Sequence, residues 1–200
     1  MGKFIVFEGC HASGKSTIAK QVCDHLTIQG KKVILTKEIF DARIRGVIEG
    51  LTDGNKTVSR NFAILYLIAA DRYLHVQQIR ELLPKYDFVI SDRYILSSLV
   101  YQQMQGFLLN EIIEANSFIH KPDLTLYIQS PLEMRLSRSL GRIKPDSIFR
   151  KNYEQEEVVY NFVVDKFEAN QNLVRIDNTF SLEETLNLIK RAITTRLDLT

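Results

Sequence analysis

Residues 9–16 read Gly-Cys-His-Ala-Ser-Gly-Lys-Ser, which fits the phosphate-loop pattern of two glycines separated by four residues and followed by lysine and a hydroxyl residue. Glycine lets such a loop curl until successive backbone N–H groups point at phosphate oxygens, and the following helix N-terminus adds partial positive charge. The pattern predicts that Lys15 contacts the β- and γ-phosphates of a bound nucleotide and that the Ser16 hydroxyl binds Mg²⁺. A glycine turn that only starts a helix is the alternative. The predicted ATP-binding residues are Gly9, Cys10, His11, Ala12, Ser13, Gly14, Lys15, Ser16 and Thr17.

Asp92 and Arg93 follow a second apolar run, residues 88–91. In phosphate-loop folds an aspartate at the end of the neighbouring strand holds the metal, so Asp92 is the second predicted Mg²⁺ ligand, unless it only caps a helix. A guanidinium offers a rigid two-pronged donor, which suits Arg93 to the phosphate of an acceptor. Arg72 lies late on a long helical pattern and would face the same crevice. Solvated surface arginines are the alternative for both.

The segment 135–151 is locally basic. Arg135, Arg138 and Arg142 recur at a spacing that places them on one side of a helix. The segment contains six basic residues and a single acidic residue, Asp146. Phosphoryl transfer spreads negative charge over the transferred oxygens, which mobile arginines can stabilise. We therefore predict an anion site here, with an exposed basic face as the alternative.

Composition sets limits on the partners. The 200 residues carry a formal net charge of +2, too small for whole-surface attraction to nucleic acid or an anionic membrane. The two cysteines, Cys10 and Cys23, show no zinc or disulfide spacing, which favours a reducing cytoplasm. The first residues lack the features of a signal peptide, and no apolar run reaches the roughly 18 residues of a membrane span.

Short apolar runs alternate with helical patterns, which is typical of an α/β fold with a parallel sheet. The expected strands are residues 3–8, 32–37, 87–91, 124–128 and 173–176. The expected helices are residues 15–29, 41–51, 58–83, 95–104, 108–119, 131–141, 154–169 and 181–197. Pro84 ends the longest helix, and Ser181 with Glu184 forms a capping-box pattern. The absence of repeats and linkers predicts one domain over residues 1–200.

Taken together, these motifs resemble the thymidylate kinase family. The motifs are Phe7-Glu-Gly-Cys-His-Ala-Ser-Gly-Lys-Ser-Thr17, Thr36-Lys-Glu38, Ala69-Ala-Asp-Arg72, His75, Asp92-Arg-Tyr94, Ser97-Ser98, Tyr101-Gln102 and Lys121-Pro-Asp-Leu-Thr-Leu-Tyr127. The resemblance implies a three-layer P-loop NTPase fold with a five-stranded parallel sheet flanked by helices. It also implies a helical lid over about residues 135–151, a homodimer, and transfer of the γ-phosphoryl of Mg·ATP to dTMP to give dTDP and ADP.

The resemblance also implies roles for single residues. Lys15, Arg93, Arg138 and Arg142 match catalytic positions. Arg93 matches the arginine on the acceptor phosphate, and Arg72 the arginine that reaches the base. Tyr101 matches the position that crowds the sugar 2′ carbon. The implied acceptor site comprises Glu38, Phe40, Arg45, Ile68, Arg72, Arg93, Ser98, Tyr101 and Gln102.

Three departures from the family pattern concern the acceptor site. His11 stands where an acidic residue commonly meets the sugar 3′-hydroxyl, Ile68 replaces the usual stacking aromatic, and the segment after Glu38 is short. These changes leave two other functions open. One is a kinase of the same fold for another pyrimidine deoxynucleotide, or for a deoxynucleoside with Glu38 as base. The other is a P-loop regulatory module that binds ATP.

Overall fold

A computed structural model describes residues 1–52, 57–140, 152–168 and 172–197. Five parallel strands form one sheet in the order β2-β3-β1-β4-β5. The strands are β1 (Lys3–Glu8), β2 (Val33–Lys37), β3 (Phe88–Asp92), β4 (Leu124–Gln129) and β5 (Leu173–Asp177). All five predicted strands are confirmed, and so is the α/β class.

Eight α-helices lie within the described residues, each at a predicted position. They are α1 (Lys15–Ile28), α2 (Ala42–Thr52), α3 (Val58–Leu82), α4 (Ile95–Tyr101), α5 (Leu109–Ala115), α6 (Leu132–Leu140), α7 (Tyr153–Glu168) and α8 (Leu182–Arg196). The capping box at α8 is confirmed, because Ser181 and Glu184 bond reciprocally. No helix in the described ranges combines the length and apolar character needed to cross a lipid bilayer.

Alternate residues of β1 face opposite sides of the sheet. Phe4 and Val6 belong to the apolar core formed with α3, α4, α5 and α7, whereas Ile5 and Phe7 belong to the core formed with α1 and α8. A parallel strand covered on both faces needs apolar residues at every position, which explains the unbroken apolar run in the sequence. This is the three-layer arrangement that the sequence predicts.

The helix after β3 is shorter than predicted. The pattern indicated a continuous helix over 95–104, but α4 ends at Tyr101 and a 3₁₀ turn, Gln103–Gln105, follows. Gly106 then adopts the left-handed conformation with φ 98°, which ends the turn. The predicted helix 108–119 likewise ends at Ala115.

The strand order brings the chemically important loops to one edge. Phe7 of β1 is paired with Asp92 of β3, and Lys37 of β2 is also paired with Asp92. The Glu38 N–H donates to the Asp92 carbonyl at 3.2 Å. Parallel sheets bind ligands at the carboxyl ends of their strands, so the phosphate loop, Glu38 and Arg93 share one crevice.

Candidate active site

The phosphate loop joins β1 to α1 and needs unusual backbone angles. Gly9, Ala12 and Gly14 have positive φ values of 152°, 58° and 93°. Lys15 is the first residue of α1, and its Nζ lies 3.5 Å from the Cys10 carbonyl. Burial, with help from the charge of Arg93, lowers the pKa of Lys15 to about 8. Burial therefore disfavours the charged form of Lys15, and the negative charge of a bound nucleotide would favour it again.

Three side chains converge on the Ser13 carbonyl. Asn178 donates to it at 2.7 Å, Ser130 at 3.1 Å and Arg138 at 3.3 Å. The peptide plane is rigid, so the Gly14 N–H at its other end points away from these donors. The predicted catalytic Arg138 thus lies against the phosphate loop, while Arg142 is outside the described residues.

Gly14→Ala should destabilise the protein. A Cβ there would lie 2.6 Å from Asn178 Nδ2, and alanine strongly disfavours the φ of 93°. We expect a loss of about 2 kcal/mol or more in the free energy of unfolding, measured with urea. Gly46→Ala on α2 is the matched control, because no atom of the described residues lies within 4 Å of its added Cβ. A loss no larger than that of the control would contradict the prediction.

Asp92 and Ser16 are the residues with which the site could hold Mg²⁺. Asp92 Oδ1 is buried and has no hydrogen-bond partner among the described residues, which leaves a carboxylate oxygen for a cation. Ser16 is exposed at the start of α1. In the described part of the chain, no group of three His, Cys, Asp or Glu side chains could bind a metal. A two-residue site fits Mg²⁺, which keeps several waters and takes phosphate oxygens as ligands.

Arg93 occupies a left-handed backbone position, with φ 76°. Its N–H donates to the Phe7 carbonyl at 2.9 Å, which ties it to β1. Its Nη1 donates to the hydroxyls of Ser97 at 2.8 Å and Tyr160 at 3.3 Å. No acceptor for Nε or Nη2 occurs among the described residues, so one side of the guanidinium is available for an anion.

Glu8 supports this arrangement, and sequence reasoning did not single it out. Its carboxylate accepts from the Tyr94 N–H at 2.8 Å and from the Ser97 hydroxyl at 2.6 Å. Burial raises the pKa of Glu8, against the effect of these bonds. A charged residue that ends an otherwise apolar strand is the signal that could have found it.

Glu38 and Arg72 form a buried ion pair. Arg72 Nε lies 3.1 Å from both Glu38 oxygens, and Nη2 lies 2.5 Å from Oε2. Arg72 also donates to Asn116 Oδ1 at 2.5 Å and to Ser98 Oγ at 2.8 Å. Burial is the largest single influence and would raise the pKa of Glu38, but the charge of Arg72 and the hydrogen bonds from His75 and Arg72 together hold the pKa below its usual value. A carboxylate held this way is a poor general base.

The other acceptor-site residues differ in their surroundings. Phe40 stacks on His75 with ring centres 5.1 Å apart, and its N–H donates to Asp71 at 2.8 Å. Gln102 is fully buried, and neither amide atom has a partner within the described residues. Arg45 donates to the Ile39 carbonyl, and Ile68 is half-buried on α3. The structure therefore joins Glu38, Arg72 and Ser98 by direct bonds, and gives no such link for Arg45 or Ile68.

One part of the anion-site interpretation of segment 135–151 is wrong. Arg135 is fully buried and pairs with Glu156 at 3.5 Å and with Glu157, both on α7. It also lies over the Tyr153 ring, 5.8 Å from its centre. These contacts hold α6 against α7, so Arg135 does not join Arg138 on an anion-binding face.

His11 and Tyr101 also meet a carboxylate of α7. The hydroxyl of Tyr101 lies 2.6 Å from Glu156 Oε1 and 3.0 Å from His11 Nδ1. The Tyr101 ring lies under Arg93, 5.4 Å from its guanidinium carbon. The predicted ATP-site and acceptor-site residues therefore meet at this point of the crevice.

Comparison with known proteins agrees with this geometry. The sequence model of the thymidylate kinase family matches residues 7–189. A "Probable thymidylate kinase" of Methanococcus maripaludis strain C6 is 34% identical over 200 residues, which cover 96% of each chain. A protein of the same name from Pyrococcus horikoshii is 41% identical, over 72% of this chain and 70% of its own. Another from Thermococcus kodakarensis is 37% identical, over 80% of this chain and 82% of its own. The chain belongs to the thymidylate kinase family.

Proposed function

We propose that this protein transfers the γ-phosphoryl group of ATP, bound with Mg²⁺, to dTMP, and so forms dTDP and ADP. The observation that carries the proposal is that two anion sites share one crevice. The phosphate loop follows β1, and Arg93 follows the adjacent β3. The Arg93 N–H donates to the Phe7 carbonyl of β1 at 2.9 Å. A donor nucleotide and an acceptor phosphate can thus lie side by side.

The chain's own groups suffice for positioning and charge stabilisation. Lys15 and the loop N–H groups bind the donor phosphates, and Arg93 orients the acceptor phosphate. Arg138, and Arg142 of the lid, complete the set of predicted catalytic cations. Ser16 and Asp92 would hold Mg²⁺, which neutralises phosphate charge. A phosphate monoester is already ionised near pH 7, so no general base is required.

The acceptor site favours a thymine-type base. Arg72 is a donor only, and one of its Nη1–H groups has no acceptor within the described residues. The amide of Gln102 is buried, and neither of its polar atoms has a partner in the part of the chain that the structure describes. A thymine O4 accepts hydrogen bonds, whereas the amino group of cytosine would face the Arg72 donor. Leaving a buried donor or acceptor unpaired costs about 1–3 kcal/mol, which is enough to discriminate between bases.

Coupled ADP release tests the proposal directly. Mg·ATP is offered with dTMP, dUMP, dCMP, dGMP, UMP and thymidine at equal concentrations. We expect the highest kcat/KM with dTMP. Preference for another nucleotide would show that His11, Ile68 and the short segment after Glu38 define a different substrate. Preference for thymidine would make Glu38 a base despite its ion pair with Arg72, and ATP binding without turnover would indicate a regulatory module.

We also propose a homodimer, on the evidence of the outward face of α3. Its exposed side chains are largely apolar or aromatic. They include Phe62, 39% exposed, Tyr66, 61%, Tyr73, 49%, and Leu74, 44%, together with exposed Ala63 and Ala70. The opposite face packs in the core through Leu65 and Val76. A contiguous apolar patch on an exposed helix face is typical of an interaction surface, and a second copy packed through the same face would cover it.

Tyr66→Glu should convert this dimer to monomers. A carboxylate at the centre of the face would be desolvated without a partner. We expect sedimentation analysis to give a dimer for the wild type and a monomer for the variant. Ile28→Glu is the control, because Ile28 is 85% exposed on α1, and this variant should stay dimeric. A monomeric wild type would contradict the proposed homodimer.

The remaining assignments are proposals of the same kind. We propose a single domain over residues 1–200, with a lid over about residues 135–151. Cytoplasmic location is supported by the two free cysteines, Cys10 and Cys23.

A further inference from the structure

Glu156 of α7 makes contacts that the mechanism above does not use. Its side chain is 3% exposed, and Oε1 accepts the backbone N–H of His11 at 2.8 Å. The same oxygen lies 3.0 Å from His11 Nδ1 and 2.6 Å from the Tyr101 hydroxyl. Its other oxygen, Oε2, faces Arg135 at 3.5 Å. One buried carboxylate therefore holds the phosphate loop, α4 and α6 together.

These contacts fix the protonation of the His11 ring. Burial alone would raise the pKa of Glu156, but its bonds to His11 and Tyr101 lower the pKa to about 2, so the carboxylate only accepts. Nδ1 must carry a proton to make an attractive 3.0 Å contact with it. Burial lowers the pKa of His11 to about 4, so the ring is neutral near pH 7. Nε2 is then the unprotonated, accepting nitrogen.

Glu156 also sets the direction of the Tyr101 hydroxyl. Because a carboxylate cannot donate, Tyr101 gives its single proton to Glu156 across the 2.6 Å contact. The hydroxyl oxygen can then accept from His11 Nδ1 at 3.0 Å. The two rings meet edge to face, with centres 5.7 Å apart. Neither side chain can turn without breaking a bond to Glu156.

We infer that Glu156 is a positioning residue that holds His11 as the Nδ1–H tautomer and fixes the Tyr101 ring, so that the pair reads the sugar of the acceptor. His11 Nε2 then offers a lone pair to a sugar hydroxyl, and the Tyr101 ring is held at the position that, by the family resemblance, lies beside the sugar 2′ carbon. The reading of the sugar rests on the proposed function. The tautomer is a property of the free protein.

The tautomer is tested by ¹⁵N NMR of the free protein with ¹⁵N-labelled histidine. The chain has four histidines, and the loss of one signal set in His11→Asn assigns His11. We expect neutral Nδ1–H in the wild type. In Glu156→Met the Tyr101 hydroxyl would donate to Nδ1 instead, which moves the proton to Nε2. Glu157→Gln is the matched control. Glu157 lies beside Glu156 on α7 and also contacts Arg135, and this variant should keep the wild-type tautomer.

The sugar reading is tested by kinetics on the same variants. Selectivity is the ratio of kcat/KM for dTMP to that for its ribose counterpart. We expect Glu156→Met to lower this ratio about fivefold to tenfold, the value of one or two hydrogen bonds, with the KM for ATP unchanged. Glu157→Gln should leave the ratio unchanged. If Glu156→Met does not fold, Arg135→Met/Glu156→Met replaces it, with Arg135→Met as control, since removing both partners of a buried ion pair is better tolerated.

The possible results separate cleanly. A wild-type Nε2–H tautomer, or an unchanged tautomer in the Glu156 variant, overturns the inference. An inverted tautomer with unchanged sugar selectivity, in a protein that phosphorylates dTMP, overturns the sugar reading. A wild type inactive toward dTMP overturns the proposed function and the sugar reading with it, while the NMR result still decides the tautomer.

Discussion

Lys15→Met will lower kcat for phosphoryl transfer by about 10³-fold, because it removes the cation that faces the developing charge on the transferred group. Stopped-time ADP release with saturating ATP and dTMP measures the effect. Lys15 is the one residue of the loop whose side chain brings a full charge to the phosphates. A wild-type rate of turnover in Lys15→Met would contradict the assignment of residues 9–16 as the phosphate loop.

The loss in Lys15→Met should be separable from a loss of folding. Burial already disfavours the charged form of Lys15, whose pKa falls to about 8, so an apolar side chain of similar length should not destabilise the protein. We expect an unfolding midpoint at or above that of the wild type. Lys20→Met, on the exposed side of α1, is the control and should keep full activity.

Arg93→Met will reduce kcat/KM for the acceptor by about a hundredfold or more and leave the KM for ATP within about threefold. Nη1 of Arg93 donates to Ser97 and Tyr160, whereas Nε and Nη2 have no acceptor within the described ranges and can bind phosphate. Each hydrogen bond to a charged group contributes about 1.5–3 kcal/mol, and two are lost together. Initial rates at varied dTMP and fixed ATP, and then the reverse, separate the two substrates.

Two further variants make the Arg93 result specific. Arg93→Lys keeps the charge but loses the two parallel N–H donors of the guanidinium, so its activity should lie between those of Arg93→Met and the wild type. Arg80→Met places the same change on the exposed side of α3 and should behave as wild type. If ATP binding collapsed in Arg93→Met instead, Arg93 would belong to the donor phosphate and not to the acceptor.

Local sequence patterns predicted the elements because their causes are local. The unbroken apolar runs reflect strands covered on both faces, and the glycine spacing in residues 9–16 reflects a backbone that must adopt positive φ. Ser181 and Glu184 predicted the start of α8 because a capping box involves residues three positions apart. The end of α4 was not predicted, since no local signal distinguishes its last turn from the 3₁₀ turn that follows.

The acceptor site was only partly predictable. The order of motifs predicted that Arg72, Arg93 and Ser98 belong to one site. In the structure Arg72 donates to Ser98 and Arg93 donates to the neighbouring Ser97. The helical spacing of Arg135 and Arg138 suggested one anion-binding face, but spacing cannot show which carboxylates approach from another helix. Arg135 proved to be fully buried against Glu156 and Glu157 of α7.

The sequence by itself thus determined the sheet, the helices and the phosphate loop, and through them the family. Only the tertiary structure decided which charged side chains bind partners within the protein and which remain available to a substrate. Arg72 meets Glu38 across 34 residues, and His11 meets Glu156 across 145 residues. Such pairs form because burial makes any unpaired charge costly, and which pair forms depends on how the helices pack on the sheet.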